Sequence, residues 1–425
     1  IGLGYYKQTG IVKRNDFERF TFRVNSDIKP KKWLTIGESF SFSRTTQSFG
    51  SDANGLLNDA TKTSPTIAVF ARPEDTQNIG GYGGQITTLT GYNDGINVVA
   101  NNNSLSVTNI NNRVLGNVYI EAEIFKGLKY RLNTGADLNF RDNTDIGQPY
   151  FYGQLEGRNR PSKTISYNRD LALNWLADNI LSYAKKVGRH DFSALAGYSS
   201  QYFFNSGFSA SGSTYPTQIN TIGASLSPNS FNAGGANTEA ALIGYIGRVT
   251  YVYNDLLMFT ANARYDGSSR FGKNNKYGFF PSFSAGWRIS NMEFMKNYQW
   301  ISDLKLRAGY GVTGNQDLAN IPNGNYLFTQ VIYPDIIRYP LGPDSKIFSA
   351  AAPTLGLANP NLRWESVTQA NIGLDVALFQ NSITMNVDAF LKQSSGILIP
   401  VSINALSGVQ NAPFFTNPSY FKNAG

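Results

Sequence analysis

Residues 118–140 alternate between apolar and polar side chains on both sides of a Lys-Gly-Leu-Lys break. The even positions are Val118, Ile120, Ala122, Ile124, Tyr130, Leu132, Thr134, Ala136, Leu138 and Phe140. The odd positions are Tyr119, Glu121, Glu123, Arg131, Asn133, Gly135, Asp137 and Asn139. Successive side chains of a β-strand point to opposite faces, so this period predicts strands. The segment is therefore expected to form a hairpin with one apolar face and one polar face.

The arms of this hairpin are longer than the strands of a soluble sandwich, which have about 5–6 residues. From Tyr130 to Phe140 an extended chain rises roughly 33 Å, and a tilt of about 40° projects this onto about 25 Å. That distance matches the apolar band of an outer-membrane barrel. Aromatic residues at both ends of the arm stand where an interfacial girdle would lie.

The composition agrees with a membrane β-protein. Charged residues make up 16% of the chain and aromatic residues 13%, whereas ordinary soluble domains carry about 25% charged residues. No stretch approaches the about 18 consecutive apolar residues of a membrane helix. A bilayer would then be crossed only by a closed sheet whose backbone groups pair between strands. The fold class predicted is all-β, a transmembrane antiparallel β-barrel.

The same alternation recurs along the chain and predicts about 12 strands. The connections between them alternate between short turns and long loops, which is typical of a meander with short periplasmic turns and long extracellular loops. The whole chain, residues 1–425, is expected to be part of one barrel. The extracellular loops are expected at about 45–112, 141–170, 205–239, 267–278 and 314–365.

The sequence motifs that could carry chemistry do not predict a catalytic site. Gly309, Gly311 and Gly314 match the dinucleotide fingerprint, but a loop rather than a helix is expected after them, so the match is weak. His190 is the only histidine and there is no cysteine, which excludes thiol–imidazole and multi-histidine sites in this sequence. We expect no catalytic residue, no metal and no cofactor.

The charged residues raise two further functions, hydrolysis and nucleic-acid binding. Glu121, Glu123 and Asp137 project onto the polar face, where a two-carboxylate hydrolase site is conceivable but unsupported by spacing. The net charge is +8, yet the basic residues are scattered rather than gathered into one patch. Nucleic acid is therefore not expected as a partner.

Four stretches of the chain carry more specific motifs. They are RYDGSSRFGKNNKYGFFPSFSAGWRISNMEFMKN (264–297), ISDLKLRAGYGVTGNQDL (301–318), NPNLRWESVTQANIGLDVALF (359–379) and GYYKQTGIVKRNDFERFTFRVNSDIKPKKWLTIGESFSFS (4–43). With these motifs the chain resembles the barrel of SusC/RagA-like TonB-dependent outer-membrane transporters of Bacteroidetes. The resemblance covers essentially the whole chain, and it concerns architecture rather than a substrate.

The resemblance implies a barrel of about 22 strands whose lumen is filled by a plug domain. It also implies import of glycans or peptides, a SusD-like surface lipoprotein as partner, TonB acting through the plug, and contact with the lipid bilayer and lipopolysaccharide. The sequence contains no plug and starts at Ile1 without a signal peptide, so we expect an internal piece of a longer protein. The expected location is the outer membrane of a Gram-negative cell.

The alternation assigns individual residues to the two faces of this barrel. Residues expected to face lipid or its interface are Phe20, Phe22, Tyr130, Phe140, Trp175, Tyr251, Tyr253 and Trp287. Residues expected to face the lumen are Arg23, Arg131, Asp137, Asn139 and Arg307.

Two functional alternatives stay open at this point. A barrel that does not import could act as a scaffold subunit of a larger outer-membrane assembly, since it would need the same strands. An enzyme or a soluble surface lectin with an all-β fold is the third possibility.

Overall fold

Each strand of the main sheet pairs with the strand that follows it in the sheet, and all pairings are antiparallel. The computed structural model describes residues 1–51, 53–72, 80–84, 96–151, 159–318, 321, 324–329, 332–341, 346–353, 357–404 and 414–425. The strands are β1 (Gly2–Thr9), β2 (Asp16–Lys31), β3 (Leu34–Phe49), β4 (Leu105–Phe125), β5 (Leu128–Gly147), β6 (Thr164–Val187), β7 (His190–Ser213), β8 (Asn232–Tyr253), β9 (Leu257–Ser268), β10 (Tyr277–Arg288), β11 (Ile301–Asn315), β12 (Ile332–Leu341), β13 (Lys346–Pro353), β14 (Glu365–Leu378), β15 (Ile383–Val401) and β16 (Phe414–Ala424).

The main sheet contains fourteen strands in the order β1 to β11, then β14, β15 and β16. Strands β12 and β13 form a separate hairpin within the connection between β11 and β14. Two short helices, α1 (Ala53–Lys62) and α2 (Val98–Ser104), lie in the connection between β3 and β4. Among the described residues, no helix has the length and apolarity needed to cross a bilayer.

The predicted hairpin is confirmed as β4 and β5. Val118 is opposite Thr134 and Ile120 is opposite Leu132 in the register. The turn between the two arms is closed by Gly127, whose φ is +89° and whose position leaves no room for a Cβ beside the carbonyl of Ala184. Only glycine adopts this backbone conformation without strain.

Short and long connections alternate as predicted. One rim of the sheet carries the connections 32–33, 126–127, 188–189, 254–256, 289–300 and 379–382; we call it the short-turn rim. The other rim carries the connections 10–15, 50–104, 148–163, 214–231, 269–276, 316–364 and 402–413; we call it the long-loop rim.

The strands are more numerous and longer than expected, so the predicted loops 45–112, 141–170 and 205–239 are shortened from both sides. Strand β6 has 24 residues, whereas about 9–11 tilted residues cross a bilayer. The extra length of β6 and β7 lies toward the long-loop rim, where segments such as TISYNRD and SASGS lack an apolar period. Apolar–polar alternation predicts a strand only where one of its faces is apolar, so it did not predict these extensions.

The buried apolar residues lie mainly in the connections at the long-loop rim and in the strand ends beside them, because the sheet has no second layer packed on it. One cluster is formed by Phe271, Leu318 and Leu362, with Trp364 against it. A second is formed by Ala100 and Tyr150, with Tyr82 and Ile96 against it. These small cores fold the loops onto the sheet.

Candidate functional site

The register sorts the side chains of the sheet into two faces. Directly opposite residues of antiparallel strands lie on the same face, so Phe22 opposite Phe42, Phe42 opposite Val114 and Val114 opposite Leu138 trace one continuous row. We call this side the apolar face and the other the polar face. On the apolar face lie all the residues predicted to meet lipid: Phe20, Phe22, Tyr130, Phe140, Trp175, Tyr251, Tyr253 and Trp287.

The residues predicted to line the lumen all lie on the polar face. They are Arg23, Arg131, Asp137, Asn139 and Arg307. The register thus separates the two predicted sets without exception. Their contacts with lipid, plug or cargo stay predictions.

The apolar face is widely exposed. Phe283, Ile372 and Val387 are each more than half exposed, at 54%, 53% and 53%. Soluble monomers rarely expose a contiguous apolar patch beyond a few hundred Å². Leaving such a face in water costs about 25 cal/mol for each Å² of apolar area. The face therefore requires an apolar medium rather than water.

Polar groups bound the apolar face toward the long-loop rim. An ion pair joins Lys7 Nζ to Glu18 Oε1 at 2.7 Å, and a second joins Arg169 Nε to Asp142 Oδ2 at 3.1 Å. These four side chains share the parity of the apolar face in the register. The apolar band therefore ends at this level.

Aromatic side chains mark the other boundary, at the short-turn rim. Phe125 and Tyr183 have ring centroids 6.2 Å apart, and those of Trp300 and Phe379 are 6.3 Å apart. Amphipathic rings at such a boundary are typical of the girdle at a membrane–water interface. The apolar face thus has the layout of a bilayer-spanning wall.

The polar face carries several ion pairs. Arg113 donates to both carboxylate oxygens of Asp137 at 2.8 and 2.6 Å. Arg307 lies between Asp375 at 3.1 Å and Asp388 at 2.8 Å. A Cβ at Gly373 would come within 2.6 Å of the Arg307 guanidinium carbon, so this glycine makes room for the pairing. Arginine with flanking carboxylates forms directional, charge-assisted bonds.

Arg131 is held by an aromatic ring that the sequence interpretation did not assign to the site. Its guanidinium carbon lies 3.9 Å from the centroid of Tyr119, which is a cation–π contact. The Tyr119 hydroxyl donates to Asp27 Oδ1 at 2.5 Å. Glu121 lies 3.7 Å from Arg131 and 3.1 Å from Lys129. Charge alternation gave no signal for Tyr119, because its partner Asp27 comes from strand β2.

Unpartnered oxygen atoms gather on the polar face of β4 and β5. Within the described part of the chain, the side-chain oxygens Asn111 Oδ1, Asn139 Oδ1, Asn143 Oδ1 and Asp145 Oδ1 are shielded from solvent and accept no hydrogen bond. We call these four residues the acceptor row. A buried acceptor without a partner costs about 1–3 kcal/mol. The acceptor row can therefore gain free energy from a molecule that brings N–H or O–H donors.

The three carboxylates Glu121, Glu123 and Asp137 each have a hydrogen-bond or ion-pair partner in β4 or β5 or in the turn between them. Asp137 is paired with Arg113 and Glu121 with Lys129, while Glu123 Oε1 accepts a hydrogen bond from the backbone of Gly127. None of these contacts brings two of the three carboxylates together.

The remaining motifs have structural surroundings. Gly309, Gly311 and Gly314 lie within β11, which continues to Asn315, so no helix starts there to hold a pyrophosphate. His190 Nδ1 lies 2.7 Å from the Tyr251 hydroxyl at the short-turn rim. Among the residues that the structure describes, no group of three or more His, Cys, Asp or Glu residues could hold a metal ion.

Two basic residues tie the long connections together. Lys163 is buried, and its Nζ donates to Thr217 O at 2.9 Å, Ile219 O at 2.8 Å and Asn220 Oδ1 at 2.6 Å. Burial lowers the pKa of Lys163 from its ordinary value, while its three acceptors stabilise the ammonium. Arg14 donates to the carbonyl of Asn102 at 2.6 Å, which joins the connection 10–15 to α2. The long-loop rim is thus a cross-linked surface.

Comparison with known proteins gives matches over most of the chain. The family model described as TonB dependent receptor-like, beta-barrel matches residues 75–425. The TonB-dependent receptor SusC of Bacteroides thetaiotaomicron is 30% identical over 426 residues, covering 95% of this chain and 40% of the relative. The TonB-dependent receptor P3 of Formosa agariphila is 28% identical over 429 residues, covering 97% of this chain and 40% of the relative.

The solved structure of the RagAB peptide transporter has the same fold. Its TM-score is 0.77 at 20% identity, over 100% of this chain and 45% of the matched chain. This chain therefore spans less than half the length of the relatives it matches.

Proposed function

This chain belongs to the TonB-dependent receptor-like β-barrel family of the outer membrane, and from that premise we propose that it forms part of the wall of an importer. The cargo is a glycan or a peptide, and the full protein is the channel of a SusCD-like complex. The observation that carries the proposal is the separation of the sheet into one apolar and one polar face. A wall between lipid and a water-filled lumen needs this separation.

The orientation follows from the two rims. The long-loop rim faces the cell exterior and the short-turn rim faces the periplasm, as in outer-membrane barrels generally. The connections held by Lys163 and Arg14 form a firm outer surface, on which a SusD-like lipoprotein docks. The apolar face contacts the bilayer, and its ion-paired boundary near Glu18 and Asp142 lies at the level of lipopolysaccharide.

The polar face would perform no chemistry. Arg113 and Arg307 hold their carboxylates in fixed geometry, so the wall presents paired charges that do not trap a passing cargo. The acceptor row offers hydrogen bonds to hydroxyl or amide donors, whether from cargo or from the plug that relatives carry. Energy for opening comes from TonB acting on that plug, outside the wall. No enzymatic activity, cofactor, metal or nucleic-acid partner belongs to this function.

Purification and uptake together test the proposal. The full-length protein is isolated in detergent from native outer membranes, and its companions and bound small molecules are identified by mass spectrometry. A surface lipoprotein and a bound glycan or peptide are expected. Cells carrying the gene should then take up that labelled cargo only while the proton-motive force is intact.

The same measurements distinguish the scaffold alternative. Co-purification with assembly or secretion machinery, together with no energy-dependent uptake of any bound molecule, would replace the importer by a scaffold subunit. A further test of the importer uses the double variant Asn111→Leu and Asn143→Leu, which removes half of the acceptor row without touching the ion pairs. It should reduce uptake while leaving the lipoprotein bound.

A further inference from the structure

We propose that one arc of the short-turn rim, from β2 to β7, binds the phosphate of an anionic glycerophospholipid in the adjacent leaflet. The inference goes beyond import and rests on the proposed orientation, in which this rim meets the periplasmic leaflet. Three consecutive short connections form the arc: 32–33, 126–127 and 188–189. We call it the basic arc.

The basic arc is dense in exposed cations. The basic residues in these connections and at the adjoining strand ends are all exposed: Lys29, Lys31, Lys32, Lys126, Lys129, Lys185, Lys186 and Arg189. The three connections are separated by two strands each, so they are spaced about 10 Å apart along the rim. This spacing is close to the Debye length of about 8 Å at physiological ionic strength, so their positive potentials overlap.

Apart from Lys129, which is paired with Glu121 at 3.1 Å, the lysines of the basic arc lack ion-pair partners in the part of the chain that the structure describes. Several cations elsewhere in the sheet are paired, as Arg113 is with Asp137, Arg169 with Asp142, and Arg307 with Asp375 and Asp388. An unneutralised basic surface beside a membrane attracts anionic headgroups. The described side chains thus leave the charge of these lysines available to such a headgroup.

The arc also lies at the level of a headgroup. Lys31 Nζ is 5.7 Å from the ring centroid of Trp33, and Lys126 follows Phe125, which packs against Tyr183. These aromatic side chains form the girdle at the end of the apolar face. A lipid whose acyl chains cover that face would bring its phosphate to the ammonium groups beside the girdle.

The rest of the short-turn rim has a different character. The connection 254–256 contains Asp255, and in the connection 289–300 Lys296 is paired with Glu293 at 2.7 Å. The connection 379–382 carries Gln380 and Asn381. The uncompensated positive charge is therefore confined to one arc and is not a general property of periplasmic turns. This confinement favours a lipid site with a defined place on the barrel.

The test measures lipid retention on the full-length protein by native mass spectrometry. The protein is exchanged into micelles containing equal amounts of phosphatidylglycerol and phosphatidylcholine, and bound lipids are counted. Phosphatidylglycerol should be retained preferentially. In the triple variant Lys31→Gln, Lys32→Gln and Lys126→Gln the preference should fall by about fivefold for each removed charge that contacts the phosphate. The double variant Lys185→Gln and Lys186→Gln provides an independent second measurement.

The variant Lys273→Gln is a control for the loss of a lysine outside the arc, because this exposed lysine lies in the connection 269–276 of the long-loop rim. Its preference should equal that of the unaltered protein. Equal retention of both lipids, or an equal loss in the control, would overturn the proposal. Because the readout is lipid binding, a protein that transports without lipid preference refutes only the basic arc. A protein with the preference but no uptake refutes only the importer.

Discussion

At the scale of single residues, neighbouring positions of one strand lie on different faces of the sheet. Leu132 belongs to the apolar face, and Asn133 on the polar face accepts a hydrogen bond from Asn117 at 2.6 Å. Adding the same charge at both positions tests which of the two faces contacts lipid. Both positions lie on one strand at nearly the same depth, so a difference in the loss of stability reports the surroundings of the two side chains.

The first prediction compares Leu132→Arg with Asn133→Arg in the full-length protein. The arginine at 132 should lower the free energy of unfolding by about 2–4 kcal/mol, because a charge near the bilayer midplane is costly. The arginine at 133 should cost about 1 kcal/mol, the value of the lost hydrogen bond. Urea unfolding in lipid vesicles measures both. A larger loss for the variant at 133 would reverse the assignment of faces.

Arg307 gives a second prediction at this scale, because it joins Asp375 and Asp388 across three strands. Replacing it by glutamine should lower the free energy of unfolding by about 1–2 kcal/mol, since two partly exposed carboxylates then lack a cation. The variant Arg307→Gln with Asp388→Asn should recover part of that loss. The same unfolding assay measures both variants. Equal stability of the two would show that the unpaired charge of Asp388 does not cause the loss.

At the scale of elements, turns and loops are held by different means. The turn at Gly127 depends on backbone geometry, whereas the connection 214–231 depends on the three hydrogen bonds of Lys163. Each element can therefore be perturbed without changing the sheet.

A third prediction concerns the two glycine turns. Gly127→Ala should lower the free energy of unfolding by about 1–3 kcal/mol, because alanine is strained at this positive φ and its Cβ meets Ala184 O. Gly188 also has a positive φ, of +57°, but no atom lies within 4 Å of a Cβ there. The control Gly188→Asn should therefore be nearly neutral, since asparagine tolerates this region. Equal losses in urea unfolding would refute the steric explanation.

The fourth prediction is that Lys163→Met opens the connection 214–231 while the strands stay intact. The carbonyls of Thr217 and Ile219 lose a charged donor, so amide hydrogen exchange in that connection should rise. Exchange in β6 and β7 away from the rim should not change. The variant Lys273→Met serves as the control and should leave both regions unchanged. Protection that persists in Lys163→Met would show that other contacts hold the loop.

The sequence predicted some of the strands and contacts but not others. The hairpin of β4 and β5 and the face of every assigned residue followed from alternation, because one side of each strand is apolar. Strands β1, β12, β13 and β16 and the ends of β6 were missed, since apolar and polar residues do not alternate there over a sustained length. The contacts of Tyr119 and Lys163 could not be predicted, because their partners belong to other strands or loops and leave no local pattern.

At the scale of the whole molecule, the two rims differ in length and chemistry, and the proposed orientation assigns each to one side of the membrane. The chain contains no cysteine, so introduced cysteines at the rims report their own accessibility once any others in the full protein are removed. Thr221 on the long-loop rim and Asn381 on the short-turn rim are both exposed.

The fifth prediction is that Thr221→Cys reacts with a membrane-impermeant maleimide on intact cells. Asn381→Cys should react only after the outer membrane has been permeabilised, because the short-turn rim faces the periplasm. Gel-shift labelling measures both variants, and denatured protein gives the maximum signal. Labelling of Asn381→Cys alone on intact cells would invert the proposed orientation.

The alternating connections also bear on how such a chain can change over evolutionary time. Closing the loop between β3 and β4, from residue 50 to residue 104, costs only about 3 kcal/mol more in chain entropy than closing a two-residue turn, because the cost grows with the logarithm of length. Insertions at the long-loop rim therefore cost little free energy and need not change the order of the strands. A lineage could lengthen or exchange these loops while the wall stays constant, so we expect homologous walls to carry diverse outer surfaces.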